Sequence, residues 1–186
     1  MKAFIVSMPR SGTYLMGKLL TIWGMTDTHY HFSEGFVEHR TQENIDRQRV
    51  DLSDVHHNTD DYWSNIPDNA FAVGHLAPTT ENVSRLSTFK RICLIRNRSE
   101  VEYSLRSWSK HIGHNIELTN DHIKIPDWRF VNYTFLMDFN TDIIDINVNK
   151  LNLLQKYLFD DVIHDSKLTM QQAQGAMTFT KSELRP

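Results

Sequence analysis

Apolar residues recur along this chain in short blocks whose period changes from one block to the next. Ala3-Phe4-Ile5-Val6 is a contiguous apolar run of strand-favouring residues, and turn-prone Ser7-Met8-Pro9-Arg10-Ser11-Gly12-Thr13 follows it. Leu15, Leu19, Ile22 and Trp23 then fall at helical spacing, and Gly24 stands where a helix-ending glycine is favoured. The pattern predicts a strand over Ala3–Ser7 and a helix over Gly12–Trp23. From Met25 to Asn69 the chain turns polar and histidine-rich, with an exposed helix expected over Glu38–Val50 and loop elsewhere. A weakly structured insert of this length suits a lid or binding segment.

Periodicity returns at Phe71-Ala72-Val73-Gly74, a second core strand that ends at His75. Pro78 and Thr79 start a helix through about Thr88. Arg91-Ile92-Cys93-Leu94-Ile95 is the clearest strand of all, with Arg96 at its carboxyl end. Ser99 and Glu102 have capping-box spacing, which predicts a helix from Glu100 to about Lys110. Val101, Leu105 and Trp108 share one face of it, and Ser104 lies one turn in. Gly113 closes that helix, and His114–Pro126 reads as loop. Asp127–Asn140 reads as an aromatic-rich helix, Asp142–Asn147 as a fourth strand and Lys150–Phe159 as a leucine-faced helix.

Strands alternating with helices imply an α/β fold, a three-layer sandwich whose central parallel sheet is covered on both faces. Ligands of such sheets bind beyond the carboxyl ends of the strands. That rule gathers Pro9–Thr13, His75 and Arg96 onto one edge although they are far apart in sequence. No repeat or linker divides the 186 residues, so one domain is expected.

Composition narrows the partners. The net charge of −3 argues against general binding to nucleic acid or to a membrane surface, both of which need a basic face. Cys93 is the only cysteine, which rules out an intrachain disulfide and a thiolate metal cluster, and it is expected to pack within its strand. No apolar stretch is long enough to span a bilayer. The chain enters a predicted strand within two residues of Met1, which leaves no room for a signal peptide, so a cytoplasmic setting is expected.

A strand feeding a Pro/Gly loop that opens onto a helix is an arrangement for cradling phosphate, because loop N–H groups and the positive helix end converge on one spot. Arg10 adds charge there and Thr13 a hydroxyl. Gly12-x-x-x-x-Gly17-Lys18 begins the P-loop pattern of nucleotide kinases and NTPases. Leu19 stands where that pattern needs a magnesium-binding hydroxyl, and Gly17-Lys18 falls in the predicted helix. His29/His31 and His111/His114 have spacings compatible with a metal, but neither pair has an evident third ligand, and no metal is expected.

Pro9-Arg10-Ser11-Gly12-Thr13 resembles the P-[KR]-S-G-[ST] loop of sulfotransferases that use 3′-phosphoadenosine 5′-phosphosulfate (PAPS). Ile95-Arg96-Asn97-Arg98-Ser99-Glu100-Val101-Glu102-Tyr103-Ser104-Leu105 is similar to that family's second signature, R-N-P-x-[DE]-x-x-x-S, with Arg98 in place of the proline. Gly74-His75-Leu76-Ala77-Pro78 is similar to its H-L-P segment. The resemblance implies a P-loop NTPase-like sulfotransferase architecture. It implies that Arg10, Ser11, Gly12, Thr13 and Tyr14 hold the 5′-phosphosulfate, and that Arg96 and Ser104 bind the 3′-phosphate. Lys181, in Thr180-Lys181-Ser182, is implied as a further ligand of that phosphate through a partial match to the late R-K-G element. His75 matches the catalytic base, with Arg10 assisting the transfer. The reaction implied is transfer of the sulfuryl group to a hydroxyl of a small-molecule or glycan acceptor, with PAPS as cosubstrate. A nucleotide kinase or NTPase, and a non-catalytic nucleotide-binding relative, are the alternatives. Leu15 stands where many members carry a tryptophan near the adenine. Trp63 is a candidate acceptor contact, and Trp108 is expected in the core.

Overall fold

The computed structural model describes residues 1–40, 55–113, 115–138, 148–166, 168–169 and 171–172. Strand β1 (Lys2–Ser7) is buried from its second residue onward, and its side chains alternate between two cores. Ala3 and Ile5 join one hydrophobic cluster, and Phe4 and Val6 the other, as the period of two in a strand demands. β5 (Ala70–His75) and β6 (Phe89–Ile95) flank β1 in parallel and divide their side chains in the same way. Phe71, Ile92 and Leu94 face the first cluster, and Ala72, Phe89 and Cys93 the second. A strand buried on both faces reads as a continuous apolar run, which is why these three stand out in the sequence.

The full sheet has the order β4-β3-β2-β5-β1-β6-β7. β2 (Thr26–Ser33) and β7 (Thr134–Asp138) extend the parallel set, while β3 (Phe36–His39) and β4 (Val55–His57) add antiparallel pairs beyond β2. Helices α1 (Thr13–Ile22) and α6 (Val148–Phe159) cover one face through Met16, Leu19, Leu20, Leu151, Leu154 and Leu158. The other face is covered by α2 (Asp60–Ser64), the end of α3 (Thr80–Arg85), α4 (Arg98–Ile112) and a 3₁₀ segment over Ile125–Phe130, which follows α5 (Asn120–Lys124). The expected three-layer α/β architecture is present. Cys93 is buried in β6 as expected. No helix among the described residues is long and apolar enough to cross a membrane.

Several local expectations need correction. Glu38 and His39 belong to β3 and not to a helix, and β2 occupies a stretch read as loop. β2 is polar because its register against β5 shifts between Asp27 and His31, where His29 takes a left-handed backbone (φ 59°), so its inward residues do not alternate. The remainder of the expected helix lies outside the described residues. The helix expected over Asp127–Asn140 does not form in its described part, which ends at Asp138. Pro126 favours the start of the 3₁₀ segment, Tyr133 adopts φ 61°, and Thr134-Phe135-Leu136-Met137 then pairs with β6. The strand expected over Asp142–Asn147 falls outside the described residues. In α4 the cap is Asn97, whose Oδ1 accepts from Ser99 N–H at 3.0 Å, so the expected capping box does not form. Glu102 instead pairs with Arg98 at 2.7 Å. Trp63 is core: it stacks on Phe32 at 4.0 Å, and its Nε1–H donates to Asn58 Oδ1.

Candidate functional site

The carboxyl ends of β1, β5 and β6 lie side by side, so Ser7, His75 and Arg96 open onto one edge. From Ser7 the chain turns through Met8–Gly12. Ser11 N–H closes the turn on Met8 O at 3.2 Å, Arg10 takes φ 65°, and Gly12 takes φ 95° as it enters α1. Gly12 supplies the left-handed conformation without the strain a side chain would add, and it caps α1 with no side-chain hydrogen bond. The first N–H groups of a ten-residue helix are thus without a side-chain acceptor at the loop. Ser7 Oγ and Thr13 Oγ1 lie 2.5 Å apart and tie the loop's two ends together. Ser11 is fully buried, yet among the described residues its Oγ has no hydrogen-bond partner.

Arg10 reaches across to α4. Its Nε–H donates to Ser104 Oγ at 3.3 Å, and its guanidinium lies 5.7 Å from the Trp108 ring centroid. Arg96 turns back onto the loop: one Nη1–H donates to Arg10 O at 2.9 Å, while Nε pairs with Glu100 at 3.1 Å. Burial, and secondarily the charge of Arg96, lowers the Arg10 pKa. Two guanidiniums packed against one loop, with Glu100 the carboxylate partner of Arg96 among the described residues, have the charge and geometry to hold an anion of more than one charge. Tyr14 is exposed on the outer side of α1, with the Arg40 guanidinium 5.6 Å from its ring centroid.

His75 ends β5, and its ring reaches across to β1. Its Nδ1 lies 2.6 Å from Ser7 O, and because a carbonyl oxygen only accepts, Nδ1 carries the proton and Nε2 the lone pair. The imidazole pKa is held well below its ordinary 6.5, first by burial and then by the neighbouring His31 charge, with smaller contributions from His122 and Arg40. The Ser7 carbonyl opposes this shift. The ring is therefore neutral at pH 7, with a free basic nitrogen. His31 from β2 packs edge-to-face on it at 4.6 Å, and His122 from α5 at 5.9 Å. Behind His31, Glu38 lies 3.6 Å from its Nδ1 and 2.8 Å from Arg40 Nε.

The structure thus brings Arg10, Ser11, Gly12, Thr13, Arg96, Ser104 and His75 to one edge, with Tyr14 at its border. Lys181 lies outside the described residues. Gly17 and Lys18 sit inside α1, where Gly17 packs on the Phe71 ring, so the start of the kinase-like pattern is helix and not loop. Among the described residues no group of three or more His, Cys, Asp or Glu could hold a metal ion. His31, Glu38, Arg40 and His122 converge around His75 without having been singled out for it. The first three come from the polar segment whose strand period is broken by the register shift. His122 lies in a stretch read as loop, where the structure has α5, capped by Thr119 and His122 itself.

No protein-family model and no curated protein sequence matches the chain. Among solved structures it is similar to the mouse sulfotransferase SULT7A1 complexed with PAP, at 15% sequence identity and a TM-score of 0.55. The match covers 92% of this chain and 63% of that one, so the chain spans less than two thirds of the neighbour's length. The fold is that of a sulfotransferase. At this identity the likeness extends to the arrangement of strands and helices, and the chemistry rests on the side chains described above.

Proposed function

We propose that this protein is a sulfotransferase that moves the sulfuryl group of PAPS onto a hydroxyl of a small-molecule or glycan acceptor. The observation that carries this reading is the pairing of two guanidiniums, Arg10 and Arg96, across a loop with a buried unpartnered hydroxyl, beside a neutral imidazole. Ser11 Oγ and the uncapped N-terminus of α1 suit the oxygens of a 5′-phosphosulfate. Arg96 and Ser104 suit a second, 3′-phosphate, and Thr13 and Tyr14 would border the nucleotide. PAPS supplies the sulfuryl group, and PAP is the leaving group.

The chain's own residues account for the rest. His75 Nε2 takes the proton of the acceptor hydroxyl as that oxygen bonds to sulfur, and the bond from sulfur to the departing phosphate oxygen breaks. Arg10 and the loop N–H groups neutralise the charge left on that phosphate, the term that dominates transfer reactions of this kind.

Calorimetric titration with PAP, and transfer of label from PAPS to 2-naphthol and methyl glucoside, test the reading. Micromolar binding of PAP is expected. His75→Ala should lower kcat by about 100-fold or more, the scale of general-base catalysis, while PAP affinity stays within about threefold. Absence of PAP binding in the unmodified protein would sink the reading. Equal losses of turnover and PAP affinity in His75→Ala would make His75 a ligand and not a base.

A further inference from the structure

His75 and His122 meet edge to face with opposite tautomers. Thr119 N–H donates to His122 Nδ1 at 3.2 Å within the capping box of α5, so Nδ1 is an acceptor there and the proton of the neutral ring sits on Nε2. In His75 the assignment is reversed, because Ser7 O takes the Nδ1 proton and leaves Nε2 as the acceptor. The ring centroids are 5.9 Å apart, with planes at 87°. The two rings are thus neighbours, one with a ring N–H and the other with a ring lone pair to offer.

We propose that His122 orients the acceptor: its Nε2–H donates to the acceptor hydroxyl oxygen while His75 Nε2 receives the proton of the same hydroxyl. The inference rests on the sulfotransferase reading with His75 as base. A hydroxyl accepts and donates at once, so it satisfies a donor nitrogen and an acceptor nitrogen together. An ammonium group has only donors and leaves His122 unsatisfied, and a thiol accepts weakly. The pair therefore selects the functional group as well as its position. Holding the oxygen on one lone pair directs the other toward the sulfuryl group, the kind of alignment on which bimolecular transfer depends. His122 keeps its own proton throughout; the only proton that moves goes to His75.

Nitrogen-15 shifts of the imidazoles report the tautomers directly and need no acceptor. His75 is expected as the Nδ1–H form and His122 as the Nε2–H form at pH 7. A His122 that is protonated on Nδ1, or on both nitrogens, overturns the inference.

Turnover of 2-naphthol and methyl glucoside supplies the second arm. His122→Gln offers a carbonyl for the Thr119 cap and an N–H for the acceptor, and should keep most of kcat. His122→Glu keeps the cap without the donor, and His122→Met removes both. Each of these two should lose about 10- to 100-fold in kcat, the scale of a lost orienting contact, with PAP affinity unchanged. Full activity in His122→Glu would assign His122 to the helix cap alone. Wild-type turnover with every variant equally active removes this inference and leaves the sulfotransferase reading standing. No PAP binding by the wild type removes both.

Discussion

Among the described residues the Ser11 hydroxyl finds no hydrogen-bond partner, although the residue is fully buried. A buried hydroxyl without a partner costs roughly 1–3 kcal/mol, so its presence in a tight loop is a liability to folding. Ser11→Ala removes that liability. Urea unfolding should show stability unchanged or raised by up to about 1 kcal/mol, while calorimetry should show PAP affinity reduced about tenfold, as for a lost hydrogen bond to a charged group. A destabilised variant with intact PAP binding would instead make Ser11 a packing residue. Among the candidate site residues, those on the loop and after β6 were singled out through motifs of short spacing: Arg96 stands just before the cap of α4 and Ser104 lies within that helix. His122, His31 and Glu38 were not, because their convergence on His75 is made by sheet register and by a short helix after a loop. No local period records it.

At the scale of elements, Gly74 decides how β2 and β5 approach. A Cβ at that position would stand 2.8 Å from Phe32 O and 2.9 Å from the Phe4 ring. The backbone oxygen cannot yield without breaking the pairing of Phe32 with Gly74. Gly74→Ala should therefore destabilise the fold by about 1–3 kcal/mol, seen as a lower urea midpoint with an unchanged slope. Wild-type stability would mean that β2 shifts freely along β5, against the register described. Sequence reading recovered β1, β5, β6, α1 and α6 from continuous or strictly periodic burial, and α3 and α4 from their start and stop signals. The failures share another cause. Polar β2 has its period broken at His29, and the aromatic stretch after Pro126 is a 3₁₀ turn to Phe130 and a strand from Thr134, with Tyr133 in a left-handed backbone between them. In α4 the helix already starts at Arg98, so Asn97 and not Ser99 is the cap, a boundary that spacing alone does not carry.

For the whole molecule the histidine cluster links folding to pH. Burial holds the His75 and His122 pKa values below their ordinary 6.5, Asp121 opposing the shift at His122, and the unfolded chain regains the ordinary value. Below about pH 6.5 the unfolded state thus binds more protons than the folded one, and stability falls as pH falls until the folded rings themselves titrate. Above that pH both states are neutral at these positions, and the effect vanishes. Urea midpoints should decline from pH 6.5 to 5, with a shallower decline in His75→Gln. An identical acid limb in that variant would shift the linkage to other groups. Rates, by contrast, should hold through pH 6.5, because the base in the folded protein is still unprotonated there.

The burial of Cys93 in the middle of β6 gives the protein an internal clock. Its thiol is fully enclosed, lies 3.9 Å from Ile125 O, and is pushed up to about 12 by burial, so the reactive thiolate is suppressed in the folded sheet. It is also the only sulfhydryl in the chain. Thiol-specific alkylation therefore records openings that expose the middle of β6, by release of the 3₁₀ segment covering it or by global unfolding. The pace of that single modification, taken with and without a bound nucleotide, measures how firmly occupation of the strand edge locks the sheet behind it.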